Sequence, residues 1–186
     1  MQTKEWGPKL WIPLHCMTFN YNINPTDKDI MTYKTFFSVL GDILPCKYCR
    51  QSYQVYIKYL PIEGYLDSRH GVTYWLYTFH NLVNDKIFKV KPSFKDVVIQ
   101  YEKLRAKCGT VSTDINAYKS CLLKFKEINL DEINEFVQIA ESKYGEMTAK
   151  LVEILKHADD NPNKEADEQR EHTKQVCKEF TYILKQ

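Results

Sequence analysis

An all-α fold is what this sequence predicts, and three observations predict it. Apolar residues recur at three- and four-residue spacing through nearly every segment, strand-like alternation is absent, and the breaks fall at Pro, Gly or Ser. Pro8 suits a first helical position, and Trp11, Leu14, His15 and Thr18 then share one side. Pro13 removes a backbone donor and should kink or distort this first helix. Thr26 with Asp29 has capping-box spacing ahead of Ile30, Tyr33, Phe37, Leu40 and Leu44. Pro45 should end that second helix and open a third, which carries Cys46, Cys49, Tyr53, Tyr56 and Leu60. A turn-rich stretch, Pro61 to Gly71, leads to a fourth helix with Trp75, Phe79, Val83 and Ile87 as its stripe, stopped at Pro92-Ser93. Ser93 with Asp96 caps a short fifth helix through Val97, Tyr101 and Leu104.

The remainder also reads as helical. Ile115, Tyr118, Leu122 and Phe125 form one stripe, and Ile133, Phe136, Val137 and Ala140 form another, which Leu151, Val152 and Leu155 continue. A polar break at 159–163 precedes a last helix with Val176, Phe180 and Ile183. Charge divides the chain in two. Residues 1–108 hold 15 Lys/Arg against 9 Asp/Glu, whereas residues 109–186 hold 11 against 15. All three Trp lie in the first part. This predicts a domain over 1–108 and a C-terminal helical region over 109–186.

Composition narrows the function classes. No apolar run approaches the roughly 20 residues that span a bilayer. The opening Met-Gln-Thr-Lys-Glu-Trp has no signal-peptide core, so a cytoplasmic, non-secreted location is expected. The C-terminal helices lack the basic face of a nucleic-acid binder. Six cysteines in such a compartment suggest redox chemistry, metal binding or ordinary burial rather than a disulfide scaffold.

Cys46-Lys47-Tyr48-Cys49 has three readings: half a zinc site, a redox pair, or two unremarkable thiols. Cys16, Cys108, Cys121 and Cys177 stand apart from it, and no His pair completes a zinc site. For the redox reading, a helix N-terminus behind Pro45 favours the thiolate, and Arg50 adds a cation. A thioredoxin-like protein would need βαβ units around the motif. In an all-helical chain the electrons need another acceptor. The fourth helix offers a place for one: Trp75 with Phe79, and His80 with Asn84, share faces at four-residue spacing, with Lys86, Lys89 and Lys91 following. Stacking plus edge hydrogen bonds suits a flat heteroaromatic ligand, and the lysines suit a pyrophosphate. The other reading is plain core with a satisfied buried histidine.

Trp6-Gly7-Pro8-Lys9-Leu10-Trp11 to His15, Pro45-Cys46-x-x-Cys49 and His80-Asn81-x-Val83-Asn84 occur in that order. Together they resemble the Erv / augmenter-of-liver-regeneration family of FAD-linked sulfhydryl oxidases over about residues 5–104, and especially the forms encoded by large cytoplasmic DNA viruses. The resemblance implies a four-helix bundle plus a short fifth helix with FAD at its mouth. Gly7, Lys9, Trp11 and His15 would line the flavin. His80, Asn81, Asn84 and Lys86 would contact the nucleotide, with Lys89, Phe94 and Tyr101 closing around it; the helical spacing, rather than the resemblance, adds Trp75 to the set as an aromatic wall. Cys49 would face the flavin and Cys46 the substrate. Electrons would pass from protein dithiols, among them a thioredoxin-like carrier, through the pair and FAD to O2, giving H2O2. The resemblance also implies a homodimer and a place in the host cytoplasm or a virus particle. Lys91-Pro92-Ser93-Phe94 is followed by Lys95-Asp96, so the first partner of the family's structural Cys-x16-Cys disulfide is missing. The alternatives are a non-catalytic helical interaction protein on a degenerate oxidase fold, and a zinc-stabilised module.

Overall fold

The computed structural model describes residues 2–105, 128–160 and Gln175. Among them every regular element is helical: α1 (Thr3–Phe19), α2 (Asp27–Ile43), α3 (Lys47–Tyr59), a 3-10 turn (Ile62–Tyr65), α4 (Arg69–Lys86), α5 (Phe94–Glu102) and α6 (Leu130–Asp160). The expected stripe at 115–125, the last helix near 176–183, the boundary at 109, and Cys108, Cys121 and Cys177 lie outside the described residues.

The polar signals place the helix starts. Thr26 Oγ1 accepts from Asp29 N–H at 3.3 Å while Asp29 Oδ2 accepts from Thr26 N–H at 2.9 Å, a reciprocal capping box. Ser93 Oγ accepts from Asp96 N–H at 3.1 Å and opens α5. Ser68 caps α4 and Asn129 caps α6 in the same way. The prolines of α1 act differently from expectation. The helix starts at Thr3, so Pro8 and Pro13 both lie inside it, and the helix continues through both to Phe19. Each proline forfeits one hydrogen bond. The burial of Leu14, His15, Thr18 and Phe19 along one side keeps the segment helical regardless. α4 also stops earlier than expected, at Lys86 rather than at Pro92, because Phe88 takes a left-handed turn at φ 55°.

The core is aromatic. Trp75 is fully buried, edge-on to Phe37 (4.8 Å) and tilted against Phe79 (5.3 Å), and Tyr53 and Tyr56 pack on Phe79 in turn (4.9 and 5.8 Å). Buried tyrosine hydroxyls find carbonyls: Tyr53 donates to Phe37 O at 2.6 Å and Tyr21 to Leu66 O at 2.7 Å.

α6 shares this core. Tyr144, Met147, Leu151 and Leu155 join the main cluster, while Ile133 and Ala140 join a second one with Phe19, Phe94, Val97, Val98 and Tyr101. Full burial of a side chain such as Leu151 is worth about 1.5–3 kcal/mol. Polar bonds fix the register. Tyr144 Oη donates to Asp67 Oδ1 at 2.6 Å and pairs with Ser68 Oγ at 2.7 Å, Lys143 reaches Asp67 Oδ2 at 2.7 Å, and Tyr65 meets Thr148 at 2.7 Å. Gly71 permits the close approach: an added Cβ there would strike the Tyr65 carbonyl and the Tyr144 ring.

Candidate active site

Cys46 is the N-cap of α3, in extended conformation, and its Sγ accepts from Cys49 N–H at 3.4 Å. The pair therefore sits at a helix N-terminus, behind Pro45. Arg50 is placed otherwise than as a cation beside the thiols: its Nη1 donates to Leu44 O at 2.6 Å and ties the end of α2 to the start of α3. The two sulfurs differ. Cys46 is lowered from an ordinary thiol value to about 7, first by the hydrogen bonds from the Cys49 thiol and backbone, with the Thr3 hydroxyl and Tyr48 N–H adding to them. Burial raises Cys49, and the neighbouring Cys46 raises it further, against smaller opposing effects of Thr3 and the Lys86 charge.

α1 carries the rest of the site on one face. Thr3, Gly7, Trp11 and His15 recur at four-residue spacing, so one stripe runs from the thiols to the far end of the cleft. Thr3 is within hydrogen-bonding reach of both sulfurs. Above Gly7 there is room: an added Cβ would meet only Thr3 Cγ2, at 3.5 Å. Trp11 stacks on His80 with centroids 3.9 Å apart and planes 9° from parallel. His15 and His80 join through Nε2 and Nδ1 at 3.1 Å, and Tyr101 lies on the far side of His15, stacked at 4.6 Å. Burial is the main cause that lowers His15 to about 3 and His80 to about 4, so both rings are neutral near pH 7.

Five of the sequence-chosen residues thus converge: Gly7, Trp11, His15, His80 and Tyr101. Asn81 directly follows His80 on α4 and Asn84 lies one turn beyond, their side chains joined at 3.1 Å. Lys89 sits close enough to His80 for its charge to bear on that ring. Lys86 turns instead toward α3, where its Nζ donates to Ser52 Oγ and its charge acts on Cys49. Phe94 is buried beneath the cleft against Tyr74 and Tyr77.

Two choices need correcting. Trp75 is no wall of the site, because its ring is wholly buried and its indole N–H is bonded to Leu60 O at 2.9 Å. Lys9 points the other way, into an apolar groove between α1 and α2 with Trp6, Leu10, Pro13, Leu40 and Leu44. Two residues away from Trp11 along a helix, it lies on the opposite side. Cys16 is exposed. Thr3 and Ser52 were missed. Thr3 was legible in principle, since it continues the Gly7–Trp11–His15 spacing by one more turn.

These residues suit a dinucleotide with a flat ring system. His15 is 1% exposed, yet its Nδ1 has no hydrogen-bond partner among the described residues. Orphaned buried donors or acceptors are costly unless a ligand meets them. The open space over Gly7, the aromatic faces and the cations of Lys86 and Lys89 complete the fit.

A helical bundle with a Cys-x-x-Cys pair at one end of a polar, aromatic cleft defines a helical thiol–disulfide redox module. Comparison with known proteins gives the family. A model of the Erv1 / Alr family matches residues 8–102, and the chain belongs to that family. A probable FAD-linked sulfhydryl oxidase of Acanthamoeba polyphaga mimivirus is 32% identical over 104 residues, covering 55% of this chain and 73% of that protein. The FAD-linked sulfhydryl oxidase of African swine fever virus is 31% identical over 101 residues, covering 53% and 82%. The mitochondrial FAD-linked sulfhydryl oxidase of Saccharomyces cerevisiae is 30% identical over 88 residues, and the match spans 46% of its length. The crystal structure of the FAD-binding domain of yeast Erv1 superposes with a TM-score of 0.52 at 27% identity, over 54% of this chain and 94% of that one. α6 lies beyond the segment that the family model matches.

Proposed function

We propose that this protein is an FAD-dependent thiol oxidase that forms disulfides in protein dithiols. The observation that carries the reading is the single stripe on α1 that starts at the thiol pair and ends in the Trp11, His15 and His80 rings. Residues 1–108 act as the oxidase domain, with 109–186 as an appended region that includes α6.

Cys46, with its lowered pKa, is the exchanging sulfur. In the oxidised pair a substrate thiolate attacks Cys46 Sγ, the Cys46–Cys49 bond breaks, and Cys49 leaves as the thiolate. A second substrate thiolate displaces Cys46 from the mixed disulfide, so the substrate is oxidised and the pair reduced. The Thr3 hydroxyl and the Lys86 ammonium hold charge on the Cys49 sulfur against burial. Trp11, His15, His80 and Tyr101 bind and orient the cofactor's ring system, with Asn81, Asn84 and Lys89 toward its polar portion. When bound, FAD takes the electron pair of the dithiol and delivers it to dioxygen, so that 2 R–SH + O2 gives R–S–S–R + H2O2.

A thioredoxin-like carrier is a fitting dithiol substrate, and the apolar α1–α2 groove with exposed Val39 and Ile43 supports a homodimer. No helix among the described residues is long and apolar enough to cross a membrane, and we place the protein in the cytoplasm or a virus particle. The test is a spectrum and an oxygen electrode. The purified protein is yellow, dithiothreitol bleaches it without air, and Cys49→Ser stays yellow while losing thiol-dependent oxygen uptake. A colourless protein, or full oxygen uptake by Cys49→Ser, would overturn the assignment.

A further inference from the structure

We infer that Phe136, on α6 and outside the family segment, is a positioning residue for the cofactor cleft. The inference rests on the FAD reading and adds to it a role for the C-terminal region.

A continuous series of rings connects α6 to the cleft. Phe136 lies over Phe19 at 6.1 Å, with planes 15° apart. Phe19 stacks on Tyr101 at 5.4 Å, Tyr101 on His15 at 4.6 Å, and His15 is bonded to His80, which lies under Trp11. Phe136 also meets His70 of α4 at 4.3 Å and Phe94 of α5 at 6.4 Å. It therefore touches the three helices that carry the rings of the cleft: α1 through Phe19, α4 through His70 and α5 through Phe94. Ile133 and Ala140, one turn to either side, are buried in the same cluster and fix the α6 face that presents it.

This brace has a clear purpose in this chain. α5 is only nine residues long, too short to hold its place by its own helical stability. It brings Tyr101 to His15, and α5 itself carries no cysteine. α6 supplies the restraint by packing instead. Removing the Phe136 ring lets Phe19 and Tyr101 relax, and the His15 ring loses the face that fixes its plane.

The test compares FAD release from full-length holoprotein, followed by the rise in flavin fluorescence, with thermal midpoints of the same variants. Phe136→Ala should bind FAD roughly three- to tenfold more weakly, the worth of one aromatic pair. It should also change the visible circular dichroism of the bound flavin, with Phe136→Leu intermediate in both. Leu151→Ala is the control: it opens a cavity in the α6 core away from the ring series and lowers the thermal midpoint more, yet should keep FAD affinity within about twofold. Phe136→Ala with unchanged affinity and dichroism would overturn the inference while leaving the oxidase reading intact. So would Leu151→Ala losing FAD in step with Phe136→Ala, since the effect would then be general destabilisation. A wild-type chain that takes up no FAD would overturn both.

Discussion

Trp11 lies flat on His80, their ring centroids 3.9 Å apart, while the same imidazole bonds His15 through its edge. One histidine is thus fixed in plane by a stack and in rotation by a hydrogen bond. Preorganisation of this kind lowers the ordering cost of binding. His80→Ala removes both restraints and leaves a second buried edge on His15 unpartnered. FAD affinity should fall about 10- to 100-fold, as for loss of a buried polar contact plus an aromatic pair. Fluorescence titration of apoprotein with FAD measures it; an affinity within twofold of wild type would remove His80 from the site.

The neutral histidines give the fold a defined pH response. In the unfolded chain each imidazole titrates near 6.5, whereas in the folded protein His15 is lowered to about 3 and His80 to about 4. Below pH 6.5 the unfolded state takes up protons that the folded state refuses, so stability falls as the pH falls and stops changing below the folded values. Above pH 6.5 these groups contribute no slope. Burial also lowers His70, which adds in the same direction. Each group contributes at most about 1.4 kcal/mol per pH unit. The thermal midpoint of apoprotein should drop between pH 6.5 and 5, and His15→Gln should flatten that slope. An equal slope in wild type and variant would contradict the burial of a neutral His15.

The thiols should be separable by reactivity. With a pKa of about 7, Cys46 is near half thiolate at neutral pH, while Cys49 is raised and remains protonated. In reduced protein, timed iodoacetamide labelling read by peptide mass spectrometry should modify Cys46 first, with a rate midpoint near pH 7. Lys86→Met removes the cation acting on Cys49 and should retard Cys49 labelling further while leaving Cys46 almost unchanged. Faster labelling of Cys49 than Cys46 would reverse the roles assigned to the two sulfurs.

How far the sequence disclosed this arrangement depends on the range of the force involved. Local signals were readable: the Thr26–Asp29 and Ser93–Asp96 caps are contacts three residues apart, and both form. The stripe linking Trp11 to His15 was readable because helical spacing alone places them together. Trp75 was misread because its partners, Phe37 on α2 and the Leu60 carbonyl, are far away in sequence, and periodicity cannot say which apolar face becomes the centre. Thr3 was hidden by proline, whose local penalty was set against the unseen gain of burying His15 and Phe19. The integration of α6 was hidden likewise: Tyr144 looks like any stripe residue until Asp67 and Ser68 are brought to its hydroxyl.

That hydroxyl gives a direct measure of how firmly α6 is attached. Tyr144 is fully buried and its oxygen serves two partners. Tyr144→Phe keeps the ring against Gly71 but removes both bonds, leaving Asp67 with Lys143 and Ser68 with the Gly71 N–H. The cost should be about 1–3 kcal/mol, or a drop of several degrees in thermal midpoint for a chain of this size. No measurable change would mean that the Tyr144 hydroxyl bonds contribute nothing to the attachment of α6.

The end of α4 offers the opposite experiment, a substitution that should stabilise. Phe88 N–H bonds Asp85 O at 3.1 Å and Lys89 N–H bonds Asn84 O at 2.9 Å, the paired bonds of a Schellman turn with Phe88 at the left-handed position. Glycine is the usual residue there because a Cβ at φ 55° crowds the backbone, at a cost of about 1–2 kcal/mol. Phe88 gains little packing in return, since it is 97% exposed. Phe88→Gly should relieve that strain and give back part of it through the greater freedom of glycine in the unfolded chain. The net gain should be about 0.5–1 kcal/mol, raising the midpoint by about 1–3 °C. Phe88→Ala is the needed partner, because it removes the same exposed ring but keeps the Cβ. If Ala and Gly raise the midpoint equally, the gain comes from losing the ring, and the backbone-strain argument fails.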